Sequence, residues 1–461
     1  MTDTPLHRPD ASDLHVPSDL HVPSDLHVAS DLHDAPLDET LRAELDAQQL
    51  AVTRVDDTDR EPVDRWLDAV ARGFLNGEPD EKRRQAFFDR TAHRRKIGVY
   101  DPTGAQPTEP VATFASWLAE LTVPGGALPV TAISSVTVSP THRRRGILRS
   151  LMAGELRTAA ERDVPAAVLT VSESSIYGRF GFAPAVASTS WTLDVRRAGW
   201  IGPVAPGRVD FVSRERGREL AEELHERIRP TSVGEVGMPG GHLDGFFGTR
   251  PDAENPELLR VVQYRAPGGG IDGLALYRVS EDRDDFAAST VDLTMLLSAT
   301  DEAYAGLWHF FLSMDLIGTL RASELAVDEP LWWMIADQRA AKIAVRDHHY
   351  VRILDVPAAL AARTYDVVDT LALDVVDPLE IAGGPFVLTT DADGSGFVET
   401  MDDPPLGIPF VRLGIAELSA LLLGGVSAVT LARAGRIETD DPERVARLFQ
   451  TVQAPRLSFW Y

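Results

Sequence analysis

The stretch from Val136 to Pro184 constrains the fold of this chain more than any other. It reads VTVSPTHRRRGILRSLMAGELRTAAERDVPAAVLTVSESSIYGRFGFAP, which is an apolar strand, an Arg/Gly turn, a helix, a second strand and an aromatic-glycine segment in succession. Ala132, Ile133, Val136 and Val138 form a short apolar run closed by Pro140. Such a run suits a buried strand ended by a residue that cannot continue the ladder. Thr141 is the expected N-cap of the next helix, where Ile147, Leu148, Leu151, Met152 and Leu156 recur at helical spacing. A helix start that gathers free N–H groups, the helix dipole and the guanidinium groups of Arg143, Arg144 and Arg145 is an anion site. Gly146 lets a phosphate approach the main chain without meeting a Cβ. The glycine pattern is neither a P-loop, which needs Gly-Lys-Ser/Thr, nor a dinucleotide fingerprint. It fits a pyrophosphate held beside a strand.

The Arg-x-x-Gly turn of Arg143 to Gly146, placed between a strand and a helix, resembles the acetyl-CoA pyrophosphate loop of the GNAT acyltransferase superfamily. The longer string SPTHRRRGILR, followed at matching distance by SESSIYGRFGFAP, resembles the Eis (enhanced intracellular survival) aminoglycoside N-acetyltransferases of actinobacteria. Weaker similarity continues toward the C-terminus through LALYRV, LWHFFLSMD and VRILDVPAALAARTY. The resemblance implies an α/β (α+β) protein with two GNAT-like mixed-sheet domains, the second degenerate, followed by a sterol-carrier-protein-like α+β domain. In that family the last domain is a structural module, and no sterol function follows from it.

The chain has 461 residues, room for about three domains at roughly 150 residues each. We expect a disordered leader at residues 1–48, an acetyl-CoA-binding GNAT domain at 49–210, a second GNAT-like domain at 211–353 and the sterol-carrier-like domain at 354–461. The net charge of −25 argues against a nucleic-acid surface, which needs a basic face. The simplest reading of that charge is solubility; the alternative is that some of the carboxylates line a pocket for a polycationic substrate. Cysteine is absent, which excludes disulfides, thiolate nucleophiles and Cys-ligated metals. No run approaches the roughly 18 to 20 apolar residues of a membrane helix, and MTDTPLHRPDAS lacks a signal region, so a cytoplasmic protein is expected.

Within the leader, SDLH recurs four times with a six-residue spacing, as SDLHVP, SDLHVP, SDLHVA and SDLHDA. So few copies beside Pro and Asp cannot bury a β-helical core. Nothing fixes the geometry of His15, His21, His27 and His33, and no metal is expected there. Further on, residues 64–74, 80–88, 215–229 and 301–317 have helical spacing, and residues 96–100, 111–121, 191–195, 261–266, 273–279 and 288–297 read as strands. No Arg/Gly phosphate turn follows the strands of the second half. Past Leu354, VPAALAARTYD reads as a helix, LALDVVD and PFVLTTD as antiparallel strands, and Asp391 to Gly394 as a hairpin turn. Asp347, His348 and His349 read as a loop rather than a metal site, because adjacent side chains on a strand point to opposite faces. No G-x-S-x-G elbow is present, which argues against an α/β-hydrolase.

Acetyl transfer from a thioester to an amine needs a held coenzyme, an oxyanion donor, a free-base amine and a proton for the leaving thiolate. By resemblance, Val136, Thr137 and Val138 pair their backbone with the pantetheine arm of acetyl-CoA and donate to the thioester oxygen. Arg144, Arg145, Gly146, Ile147, Leu148 and Arg149 then hold the pyrophosphate, and Ser172 and Glu173 lie beside the coenzyme. Tyr177 is the expected general acid, since a phenol with a reference pKa of about 10 carries its proton at neutral pH. In the Eis family the C-terminal residue, here Tyr461, brings its main-chain carboxylate into the pocket as base or charge partner. A carboxylate is too weak to deprotonate an ammonium directly, so a water relay or pure orientation is expected. The tail LSFWY is too apolar to dangle in water. Family members usually have Gly-Gly where this chain has Ser174 and Ser175, and often an acidic residue where it has Trp460. The implied acceptor is a polyamine or aminoglycoside-like molecule, and the implied assembly is a homohexamer. The rival readings are a protein-lysine or other small-amine acetyltransferase, and a non-catalytic coenzyme-A-binding scaffold.

Overall fold

The structure, a computed structural model, describes residues 32–402 and 407–461. Its strands in chain order begin with β1 (Ala51–Arg54), β2 (Arg95–Tyr100), β3 (Pro110–Val123), β4 (Gly126–Val138), β5 (Ala166–Thr170) and β6 (Ala183–Asp194). The second half adds β7 (Arg208–Val212), β8 (Leu259–Arg265), β9 (Ile271–Ser280), β10 (Ser289–Ser298), β11 (Ile317–Leu325) and β12 (Ala341–Ile353). All twelve form one continuous sheet in the order β1-β2-β3-β4-β5-β12-β6-β11-β10-β9-β8-β7. The two halves therefore exchange their last strands: β12 pairs with β5 of the first half, and β6 pairs with β11 of the second. β5, AAVLT, is apolar up to its last residue, Thr170, because this centre of the sheet is covered on both faces.

Helices of the first half are α1 (Glu39–Asp46), α2 (Arg60–Gly73), α3 (Glu81–Arg90), α4 (Ile147–Ala160) and α5 (Ser174–Tyr177). α4 lays Ile147, Leu151, Met152 and Leu156 on the sheet in one cluster with Ile133 and Leu169. The C-terminal unit has a separate five-stranded sheet built from β13 (Asp369–Val376), β14 (Gly384–Thr390), β15 (Gly396–Thr400), β16 (Phe410–Gly414) and β17 (Ile437–Thr439). Its apolar core is continuous with that of the large sheet, joining Leu121, Val351, Leu418, Phe449 and Phe459. A fully buried ion pair also joins the two sheets: Arg352 Nη2 lies 2.7 Å from Asp377 Oδ2, which also accepts from the Ile381 and Ala382 amides.

Four expectations are corrected. Within the leader drawn at 1–48, residues 39–46 form α1, because Asp38 caps the helix and pairs with Arg157 while Leu37, Leu41 and Leu45 are buried against α4. Arg95, paired with Glu155, also donates to the carbonyls of His33 and Ala35. His33 lies beside Asp34 and Asp57; His15, His21 and His27 lie outside the described residues. Thr141 caps nothing: it belongs to a short 3₁₀ turn, and α4 starts after Gly146. The helix read over 301–317 runs Asp301–Leu312, since Ile317 opens β11. Finally, Asp347, His348 and His349 are not in a loop but in β12, where a bulge opposite β6 lets both imidazoles be fully buried. The turn at Asp391 to Gly394 closes the β14–β15 hairpin as expected, with Gly394 at φ +88°.

Candidate active site

The site begins with a fault in the sheet. β4 and β5 pair in parallel from Val130 and Ala166 to Ile133 and Leu169 and no further. Just past that point β4 carries one residue more than β3, with Thr113 opposite Thr137 but Ala115 opposite Ser134, and Ser135 takes φ +53°. Such a bulge bends the strand. Thr113 Oγ1 fixes it by donating to the Ser135 carbonyl at 2.8 Å and meeting Thr137 Oγ1 at 2.9 Å. Residues 134–138 thereby diverge from β5 and, on that side, leave an edge with no strand partner among the described residues.

A cavity of about 630 Å³ occupies the opening. One wall is Val136, Thr137 and Val138; the floor is the start of α4. Arg144 at φ +64° and Gly146 at φ +79° are both left-handed, and α4 has no side-chain cap. Its first amides, at Ile147, Leu148 and Arg149, therefore face the cavity without an internal acceptor. A Cβ built on Gly146 would meet nothing within 4 Å among the described residues, which leaves space before the helix. Arg143, Arg144, Arg149 and Arg179 line the cavity. This donor set and charge fit a pyrophosphate and a pantetheine arm lying along β4.

Arg145 departs from its expected place: its guanidinium donates to the Gln48 carbonyl at 3.2 Å and does not line the cavity. Arg143, expected in the same anion-binding turn, lines it, and so does Arg179, which was not expected. Arg143 was legible as a neighbour in the same turn, whereas Arg179 carries no signal beyond its place after Tyr177.

Ser172 and Glu173 follow β5 into the cavity, and α5 presents Tyr177. Tyr177 packs edge-on against Phe182 with centroids 6.2 Å apart. Burial, with repulsion from Glu173 added, pushes its phenol above the ordinary value. Ser174 and Ser175 form the first half of α5.

The opposite wall comes from the end of the chain. Trp460 and Tyr461 line the same cavity, together with Phe74 at the end of α2. The main-chain oxygen of Tyr461 accepts from Thr170 Oγ1 at 2.7 Å. Its ring stands edge-on to Trp117 at 5.4 Å and to His349 at 5.7 Å. His349 Nδ1 donates to the Gly234 carbonyl at 3.2 Å, which leaves Nε2 to accept the Tyr461 hydroxyl at 2.8 Å. Burial, then the neighbouring His348, push His349 down to about 3, so this imidazole is neutral. Trp460 is tilted against His348 at 5.6 Å with the Arg346 guanidinium at 5.9 Å from its ring. The adjacent histidines thus hold adjacent residues of the tail, at the bulge in β12. No local spacing marks them for this role, because the contact spans 112 residues.

Comparison with known proteins matches this geometry. Acetyltransferase (GNAT) domains match residues 54–185 and 246–353, and a sterol carrier protein domain matches 356–458. An uncharacterized N-acetyltransferase of Streptomyces avermitilis is 39% identical over 404 residues, covering 84% of this chain and 94% of its own length. N-acetyltransferase Eis of Mycobacterium tuberculosis is 35% identical over 365 residues, covering 75% and 84%. The crystal structure of Eis1 from Mycobacterium abscessus superposes with a TM-score of 0.74 at 27% identity, over 89% of this chain and all of the other. Identity at this level over most of both chains, on a fold of two GNAT units and a sterol-carrier unit, places the chain in the Eis family of GNAT N-acetyltransferases, acetyl-CoA-dependent enzymes.

Proposed function

We propose that this enzyme acetylates a primary amine of a polycationic small molecule, a polyamine or an aminoglycoside, by direct attack on acetyl-CoA. The observation that carries the reading is the convergence on one cavity of Tyr177, the unpartnered edge of β4 and the main-chain end of Tyr461. Arg143, Arg144, Arg149 and the α4 amides hold the pyrophosphate, and the backbone of Val136 to Val138 aligns the thioester and donates to its oxygen as charge develops there. The amine nitrogen forms the new C–N bond as the C–S bond breaks, and Tyr177 gives its proton to the departing sulfur. The proton lost by the amine leaves through water beside the Tyr461 carboxylate, which orients the ammonium before it is deprotonated. The rings of Phe74, Trp460 and Tyr461 offer faces that attract an ammonium, and the net charge of −25 draws polycations toward the protein. We take the working form to be a cytoplasmic homohexamer; sedimentation of the purified chain tests the assembly.

Thiol release from acetyl-CoA, followed across a panel of polyamines and aminoglycosides, tests the function. Turnover is expected with polycations, and is expected to fall in Tyr177→Phe and in a chain extended by two residues past Tyr461. Turnover by both variants at the wild-type rate overturns the assignment of acid and base. Turnover only with lysine side chains of proteins overturns the substrate class.

A further inference from the structure

The second half contains the same fault in the sheet as the first. β10 and β11 pair in parallel only as far as Leu293 and Ala322, and just past that point β10 carries one residue more than β9, with Leu293 opposite Tyr277 but Met295 opposite Leu276. In the first half the matching cleft is open. In the second only about 30 Å³ remains, and Arg456 and Ser458 are among the residues lining it. The segment that carries these two residues leads directly to Trp460 and Tyr461.

That segment is held by a receptor built from elements far apart in sequence. The Ala454 amide donates to Asp328 Oδ2 at 2.9 Å, and the Arg456 amide to the Val233 carbonyl at 2.8 Å. Glu235, almost fully buried, meets Arg456 Nε at 3.3 Å with one oxygen and accepts from Ser458 Oγ at 3.2 Å with the other. Residues 233–236 are themselves fastened to the end of β3, with reciprocal main-chain bonds between Thr122 and both Gly234 and Glu235. Gly234 is at φ +93°, and a Cβ there would lie 2.8 Å from the Arg456 carbonyl oxygen, so the tail passes against bare backbone. Phe459 then packs edge-on against His225.

We propose that the cleft of the second half is a receptor for residues 454–459, and that Glu235 is the positioning residue that sets Trp460 and Tyr461 in the wall of the acetyl-transfer cavity. The second half thus has a working cleft, occupied by the chain itself. Burial raises Glu235, but His225 and Arg456 outweigh it and hold the carboxyl at about 2, so the receptor keeps its charge at every pH of use. The docking stands on geometry alone; its effect on turnover rests on the catalytic reading of Tyr461.

Glu235→Gln in the full chain tests it, with Arg456→Gln as a second variant that cuts the same contact from the tail side. Hydrogen exchange of a peptide spanning residues 454–461 is expected to quicken about tenfold or more in both variants, with little change elsewhere. The kcat is expected to fall about tenfold while the KM for acetyl-CoA holds, and Glu235→Asp is expected to recover part of the loss. Wild-type exchange in that peptide in both variants overturns the receptor. Loosening throughout the chain, with the acetyl-CoA KM rising as kcat falls, reduces Glu235 to a structural residue and also overturns it. A chain extended by two residues past Tyr461, which removes the carboxylate from the cavity, separates the two readings. If it turns over at the wild-type rate, the catalytic reading of Tyr461 fails and takes the role in turnover with it. If the extended chain is impaired and Glu235→Gln is not, only the positioning role fails.

Discussion

At Tyr177, burial and the nearby Glu173 act in the same direction, both favouring the protonated phenol. A group raised above its ordinary value keeps its proton as pH increases, so an acid of this kind is ready at neutral pH and fails only on the alkaline side. Tyr177→Phe is expected to lower kcat by about 10² to 10⁴. The pH profile of kcat/KM in the wild type is expected to fall above pH 10, and that alkaline limb is expected to be missing in the variant. Tyr177 was legible because its motif is local. Thr170, His349 and Glu235 were not, because each acquires meaning from residues 456–461, and the Thr170 contact closes over 291 residues. His348 and His349 show the cost of judging spacing alone: the alternation expected of a regular strand is broken by the bulge in β12, and there the two imidazoles hold two consecutive tail residues.

Among the elements, α4 governs donor binding through its first turn. The period of its apolar residues identified the helix, but the start was read five residues early, because two left-handed residues separate the 3₁₀ turn at Pro140 from Ile147. That interruption is what leaves the helix uncapped and open to an anion. It also rotates Arg145 away toward Gln48 while Arg144 and Arg149 stay in the cavity. Arg149→Ala is accordingly expected to raise the KM for acetyl-CoA by about tenfold or more, the loss of a charge-assisted phosphate contact. Arg145→Ala is expected to raise it by a clearly smaller factor, measured in the same steady-state assay. The parallel strands β4 and β5 were legible as apolar runs. The bulge that separates them was not, since it depends on the register of β3 against β4.

For the whole molecule, the order of two mixed-sheet units and a third α+β unit followed from the resemblance, whereas the exchange of β6 and β12 had no sequence mark. The exchange makes one sheet of two halves and carries the histidines of the second to the tail residues that line the cavity of the first. Arg352 and Asp377 then bind that sheet to the C-terminal unit. Asp377→Ala leaves a buried guanidinium unpaired and is expected to cost about 3 to 5 kcal/mol, read by denaturant unfolding. The tail receptor adds a pH dependence of stability. His225 is lowered by burial but held up at about 9 by Glu226 and Glu235, so its contribution is complete below 6.5 and is lost as pH rises through 9. Glu235, held at about 2, contributes fully above 4.5 and loses its part as pH falls through 2. The unfolding temperature is expected to be flat between these limits and to decline toward pH 9, and His225→Gln is expected to flatten that decline.

The central claim is that the active site has two halves, a donor cleft between β4 and β5 and a wall supplied by the last residues of the chain. Deleting Trp460 and Tyr461 and measuring acetyl-CoA affinity beside turnover tests it most directly. The donor is expected to bind as in the full chain while kcat falls by about 10² or more. Turnover at the wild-type rate by the shortened chain would contradict the account.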